Sequence, residues 1–144
     1  MPDRTNYTWK DKLFLIVEDD PASSMLLEII LTKTGAKLLF AENGEKAVDI
    51  VKRTRGIDLV LMDIKMSGIS GLQAAALIKK ISPGLPIIAQ TACVVTGDKE
   101  KCIQAGCSAY IPKPIISDIL LEVIQNQFDI PLSVEICNAR FSSN

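Results

Sequence analysis

Apolar residues fall along this chain in short unbroken runs separated by longer stretches with helical spacing. Leu13 to Val17 (Leu-Phe-Leu-Ile-Val) is one such run. Ile57 to Met62 is another, interrupted only by Asp58, with Asp63 where the strand should end. Runs this short, bounded by turn residues, read as strands buried on both faces. Three more strands are expected at Lys37–Ala41, at Pro86–Thr91 and, briefly, at Ala109–Ile111. Between them, Met25, Leu26, Ile29, Ile30 and Lys33 keep helical spacing, with Gly35 as the stop. Asn43-Gly44 opens a helix with Ala47, Val48 and Val51 on its apolar side, ending near Arg53. The glycines at 68 and 71 allow a tight turn into a helix over Leu72–Ile81, which Ser82-Pro83-Gly84 breaks. A short helix with a thin apolar stripe follows at Asp98–Ala105, closed by Gly106, and a last one runs from about Ile116 to Phe128. Strands alternating with helices across short loops predict an α/β fold, a doubly wound parallel sheet with helices on both faces.

With 144 residues, the chain has the length of one ordinary domain. Residues 13–128 are expected to form it. Met1 to Lys12 reads as a loose leader in which Trp9 packs onto the domain edge, the commoner fate, or faces a partner. Residues 129–144 read as a tail, where Leu132, Val134 and Ile136 alternate with polar residues and Cys137, a weak strand signal set against an equal prospect of disorder. The apolar fraction of 48% excludes a disordered chain, and a net charge of -1 argues against binding nucleic acid through a broad basic surface. No apolar run is long enough to span a bilayer, and residues 1–12 lack the apolar core of a signal peptide, so the expected place is the cytoplasm, with no membrane contact. Cys93, Cys102, Cys107 and Cys137 form no CxxC pair, which leaves reduced structural thiols as the default. The chain has no histidine. Ser-His-Asp and Cys-His catalysis and histidine-ligated metals are thereby excluded, and any phosphohistidine must come from elsewhere.

The chemistry gathers at the ends of the strands. Glu18, Asp19 and Asp20 follow the first strand, Asp63 ends the third, Thr91 the fourth, and Lys113 follows the fifth. Taken singly, each has a plainer use. An acid before Pro21 caps a helix, Asp63 caps a loop, Thr91 ends a strand in a turn, and Lys113 is a solvated lysine. One cap needs one acid, however, and three are present. In an open α/β sheet all these groups meet at the carboxyl edge, where ligands bind. Carboxylates crowded there repel one another unless a cation neutralises them, and a hard ion with oxygen ligands and retained waters, Mg²⁺, suits them. A carboxylate beside Mg²⁺ can attack phosphorus and form an acyl phosphate, whose oxygens Lys113 and Thr91 are suited to hold.

Across Leu13 to about Phe128 the chain resembles the receiver domains of two-component response regulators. The resemblance is carried by Ile-Val-Glu-Asp-Asp-Pro, Leu-Val-Leu-Met-Asp-Ile-Lys-Met-Ser-Gly, Pro-Ile-Ile-Ala-Gln-Thr-Ala and Tyr-Ile-Pro-Lys-Pro. It implies a flavodoxin-like five-stranded sheet in the order 2-1-3-4-5. It implies that Asp63 accepts phosphate from a histidine kinase or phosphotransfer domain, with Glu18, Asp19 and the backbone carbonyl of Lys65 completing the Mg²⁺ site. Thr91 and Tyr110 then form the switch pair, Lys113 contacts the phosphate, and the Lys113–Pro114 bond is cis. A downstream effector is expected at the fourth helix, fifth strand and fifth helix. The Ala-Gln-Thr-Ala phrase and the stretch from Gly97 to Cys107 are most similar to receivers of hybrid sensor kinases, with a stand-alone receiver as the alternative.

The sequence departs from the family's habit in places. Ser67 stands where proline is common, Glu18 where aspartate is frequent, and Cys93 sits two residues past Thr91 on the rim. The residues expected beside an attacking water, Lys65 and Cys93, position water poorly, so slow loss of phosphate is expected. Three rivals remain. An aspartate-nucleophile phosphatase needs a second Asp where Lys65 stands. An FMN carrier needs a Ser/Thr/Gly-rich loop where Glu-Asp-Asp-Pro stands. A phosphorylation-independent interaction domain would not need every chemical group to be present.

Overall fold

The structure, a computed structural model, describes residues 7–66, 68–91 and 98–129, the side chains of 98 and 99 excepted. The elements run β1 (Leu13–Val17), α1 (Pro21–Thr32), β2 (Lys37–Ala41), α2 (Gly44–Arg53), β3 (Leu59–Asp63), α3 (Gly71–Ile81), β4 (Ile87–Thr91), α4 (Asp98–Gln104), β5 (Ala109–Pro112) and α5 (Ser117–Phe128). The five strands form one parallel sheet in the order β2-β1-β3-β4-β5. This is the expected doubly wound flavodoxin-like order, and its switch point falls between β1 and β3.

Alternation along the strands builds two cores. Leu15, Val17, Val60, Met62, Ile87 and Ala89 pack against α2, α3 and Cys102 of α4. Phe14, Ile16, Leu59, Leu61, Ile88 and Ile111 pack against α1 and α5. Both sides of β3 and β4 are covered, which is why those strands are continuously apolar rather than alternating. The helix starts follow local chemistry. Asn43 caps α2 through Lys46 N at 2.8 Å, and Ser70 and Gln73 form a reciprocal capping box at α3.

Two expectations change. The α1 positions with helical spacing, Met25, Leu26 and Ile29, are 61%, 42% and 51% exposed. The buried stripe is Leu27, Ile30 and Leu31. This helix is apolar nearly all round, so periodicity alone could not choose its inner face. Gly68 has the left-handed φ of +83° that its turn requires, but Gly71 does not serve the turn that way. A Cβ on Gly71 would lie 2.2 Å from the carbonyl oxygen of Asp63, so glycine is required there for close approach.

Residues 7–12 are not a loose leader. Trp9 is 3% exposed, stacks edge-on against Phe14 and Phe128, and donates its indole N–H to Gln125 Oε1 at 2.8 Å. Its backbone N–H donates to Thr34 O, which ties this segment to the turn after α1. Residues 1–6, the tail from 130 onward with its strand signal and Cys137, Ser67 and Cys93 lie outside the described residues. Among those described, no helix is long and apolar enough to cross a membrane. Cys102 and Cys107 are buried thiols, and burial pushes the Cys107 thiol up to about 12, which keeps it protonated and inert.

Candidate functional site

Strand parity decides which side chains meet at the carboxyl edge. Glu18 follows Val17 at the end of β1, and its backbone N–H donates to Ala41 O at 3.0 Å, which prolongs the β1–β2 ladder by one residue. Its side chain shares a sheet face with Ile16 and, through the β1–β3 register, with Leu61 and Asp63. Asp20 takes the cap, accepting from Ser23 N at 3.1 Å and from its hydroxyl at 2.8 Å. Those hydrogen bonds hold the Asp20 carboxyl below its ordinary value. One acid therefore caps α1, and two remain for the site.

Oxygen atoms of Glu18, Asp19 and Asp63 lie within 4.8 Å of one another. Glu18 and Asp63 are buried and Asp19 is exposed. Lys113, carried past β5 by a backbone bond to Thr91 O, reaches back over the edge. Its Nζ donates to Glu18 Oε1 at 2.8 Å and to Asp63 Oδ2 at 3.3 Å. Burial, then the shared hydrogen bond with Asp63, pushes Glu18 above the usual glutamate range despite the ammonium beside it. Burial alone would pull Lys113 down, but its bond to Glu18 and the charges of Asp63 and Glu18 hold it above its ordinary value. Three carboxylates face one ammonium, so the cluster is short of positive charge even with Lys113 in place. Hard carboxylate oxygens with one exposed member suit a divalent cation that keeps some waters.

The loop after β3 wraps Asp63. Lys65 N donates to Asp63 Oδ1 at 3.1 Å, and Gly71 N donates to Ile64 O at 3.0 Å. Thr91, ending β4, is buried. Tyr110 pairs in register with Ala89, so it shares with Thr91 the face covered by α2–α4. Tyr110 is half-buried and lines a cavity of about 200 Å³ with Cys102, Ile103 and Cys107. The Lys113–Pro114 bond is cis. Beside the acids, a cleft of about 380 Å³ is bordered by Pro21, Ser24, Phe40 and Lys46. A larger cleft of about 500 Å³, around Arg55, Asp58 and Gly84, lies at the opposite edge of the sheet, away from this chemistry.

Among the described residues expected at the site, Glu18, Asp19, Asp63 and Lys113 form one cluster at the carboxyl edge with Lys65 beside it, Thr91 ends β4 there on the other face, and Tyr110 lies on that face two residues further back in β5. One neighbour passes unremarked in the sequence. Gln90, beside Asp63 in the β3–β4 register, is fully buried. A polar side chain inside Ile-Ile-Ala-Gln-Thr was the available signal.

Comparison with known proteins bears on the family and the fold. Residues 14–125 match the response regulator receiver domain family. Over 121 residues the chain is 37% identical to hybrid signal transduction histidine kinase I of Dictyostelium discoideum, which covers 78% of this chain and 7% of that one. The chain thus corresponds to a small part of that relative. The receiver domain of sensor histidine kinase PA1611 from Pseudomonas aeruginosa PAO1, solved with a magnesium ion coordinated in its active site cleft, is 32% identical. The match covers 81% of this chain and 96% of that one, with a TM-score of 0.75. The receiver domain of Ssk1 from Saccharomyces cerevisiae, co-crystallised with the histidine phosphotransfer protein Ypd1, is 29% identical, covering 83% and 90%, with a TM-score of 0.76.

Proposed function

The chain belongs to the response regulator receiver domains, phosphoacceptor switches of two-component signalling, and from that premise we propose that Asp63 is the residue that takes the phosphoryl group. The observation that carries this reading is the buried Asp63 carboxylate with Glu18 and Asp19 within 4.8 Å and Lys113 bonded across Glu18 and Asp63. Glu18, Asp19, Asp63 and the backbone carbonyl of Lys65 would hold Mg²⁺. Bound there, it supplies positive charge to the phosphoryl oxygens.

An Asp63 oxygen attacks the phosphorus of a phosphohistidine. The Asp63 O–P bond forms as the P–N bond breaks, and the imidazole leaves with its electron pair and takes a proton. Lys113 turns from the carboxylates to a phosphoryl oxygen as a point charge. The Thr91 hydroxyl is drawn to another, and Tyr110 moves toward the space so opened, altering the α4–β5 surface. The chain acts as a signalling domain, catalysing nothing beyond its own phosphotransfer and dephosphorylation.

The donor is a histidine kinase or phosphotransfer domain, its histidine lying outside these 144 residues, which contain none. The exposed Met25, Leu26 and Ile29 on α1, the helix that starts beside the acids, offer that partner an apolar seat. The Ssk1–Ypd1 complex supports a partner of that kind. Ile103, Ile116 and Ile119, exposed on α4, before α5 and on α5, would serve the downstream effector.

The test uses acetyl phosphate with Mg²⁺ and reads a mass increase of one phosphate. The parent gains it, while Asp63→Asn and the EDTA-treated parent do not. Equal labelling in all three overturns the assignment. Ile29→Glu should leave that labelling intact and slow transfer from a phosphorylated kinase. Unchanged transfer removes α1 as the seat.

A further inference from the structure

Gln90 is fully buried in β4, and neither its Nε2 nor its Oε1 has a hydrogen-bond partner among the described residues. Burying an unpaired amide costs stability that leucine or methionine would not cost. The strand leading to it is Ile-Ile-Ala, so an apolar residue would suit the packing.

Its place in the sheet explains what the amide is for. The register pairs Gln90 with Asp63 on β3 and with Ile111 on β5. Parity with Ile88, Leu61 and Ile111 puts its side chain on the face covered by α1 and α5. Glu18, Asp63 and Lys113 share that face, and neighbouring strands are only about 4.8 Å apart. The charged side chains that register and parity place nearest to Gln90 are the Asp63 carboxylate, which only accepts, and the Lys113 ammonium, two residues past its β5 partner, which only donates. A glutamine amide offers one of each. In this structure the ammonium is committed to Glu18 and Asp63, at 2.8 and 3.3 Å.

We propose that Gln90 is a positioning residue for phosphotransfer, its amide engaging the Asp63–Lys113 pair when Glu18 turns to a bound cation and releases Lys113. The amide then holds Lys113 over Asp63, aimed at the incoming phosphoryl group. The unpaired amide in the resting state is the stability given up for that second state. The proposal rests on phosphorylation of Asp63.

Gln90→Met keeps length and bulk and removes both hydrogen-bonding groups, and Gln90→Leu checks it. Beryllofluoride with Mg²⁺ serves as the phosphoryl probe. Each variant, free of metal, is expected to melt at or above the parent's temperature, yet to bind beryllofluoride roughly tenfold more weakly, about 1.4 kcal/mol. In the parent, the Gln90 side-chain amide proton resonances should move downfield on adding the probe, and Lys113→Met should abolish that movement. Binding within twofold of the parent by both variants, or an unmoved Gln90 amide in a parent that binds the probe, overturns the proposal. If the parent fails to bind beryllofluoride, or Asp63→Asn binds it equally, the Asp63 assignment falls first and this proposal with it. Should Gln90→Leu fail to fold, the methionine variant and the parent's amide signal decide.

Discussion

Replacing Gly71 by alanine sets two effects of opposite sign against each other. Gly71 opens α3, and its backbone φ is not left-handed, so alanine meets no backbone strain. Helix propensity alone would then make Gly71→Ala stabilising by up to about 1 kcal/mol. The structure predicts the reverse. The new Cβ would sit 2.2 Å from Asp63 O and 2.7 Å from Ile64 Cα, both backbone atoms at the end of the central strand β3. Ordinary contact needs at least 3 Å, so α3 or the Asp63–Ile64 peptide must shift by roughly 1 Å. Forcing an added methyl into a packed site costs about 1–3 kcal/mol, and the high end applies because no flexible side chain can yield. Net destabilisation of about 2 kcal/mol is expected, a fall in Tm of roughly 6–10 °C for a domain of this size. The same shift displaces the peptide that carries Asp63, so beryllofluoride affinity should fall together with stability if Asp63 takes the phosphoryl group as proposed. Urea unfolding followed by circular dichroism measures the first, and titration of Trp9 fluorescence or NMR the second. Gly84→Ala, where an added Cβ meets nothing within 4 Å, is the control and should change stability by less than about 0.5 kcal/mol. A Gly71→Ala protein as stable as the parent would refute the steric argument.

Other outcomes follow from the same contacts. Hydrogen exchange should differ between free and beryllofluoride-bound protein across residues 91–112; identical exchange there would remove the Thr91–Tyr110 switch. Lys65→Asn combined with Cys93→Glu should hasten loss of phosphate, since both new side chains can hold a water, and a rate equal to or below the parent's refutes slow self-dephosphorylation through poor water placement. Because Glu18 is held above its ordinary 4.5, the native state keeps a proton that the unfolded chain has released. In EDTA, the parent should therefore lose stability relative to Glu18→Gln as pH rises from 4.5 through the native pKa. Urea midpoints across that range check it, and a constant difference between the two proteins counts against it. Trp9→Ala removes a buried ring and a hydrogen bond to Gln125, so a loss of about 3–5 kcal/mol is expected in urea unfolding. A near-neutral result would restore the loose leader.

The sequence alone determined the strands, the helices and their alternation, because each depends on local periodicity, caps and breaks. β1 and β2 match their expected bounds, and the rest agree to within a residue or two. It also placed the candidate site groups at one edge, since in a parallel α/β sheet every strand delivers its last residues to the same side. Three things needed the tertiary structure. The inner face of α1 is one, because Met25, Leu26 and Ile29 are as apolar as Leu27, Ile30 and Leu31, and only packing on the sheet distinguishes them. The need for Gly71 is another, because the close approach is to the carbonyl of Asp63, eight positions earlier in the chain. The division of labour among the acids is the third. The resemblance set Glu18 and Asp19 apart from the capping acid, but only the structure shows Asp20 bonded to Ser23 and strand parity turning Glu18 toward Asp63 and Lys113. Gln90 shows the same limit most plainly. Its amide looks like one polar letter in a strand until register places it beside Asp63, where distances between strands, which no local pattern records, decide what it can touch.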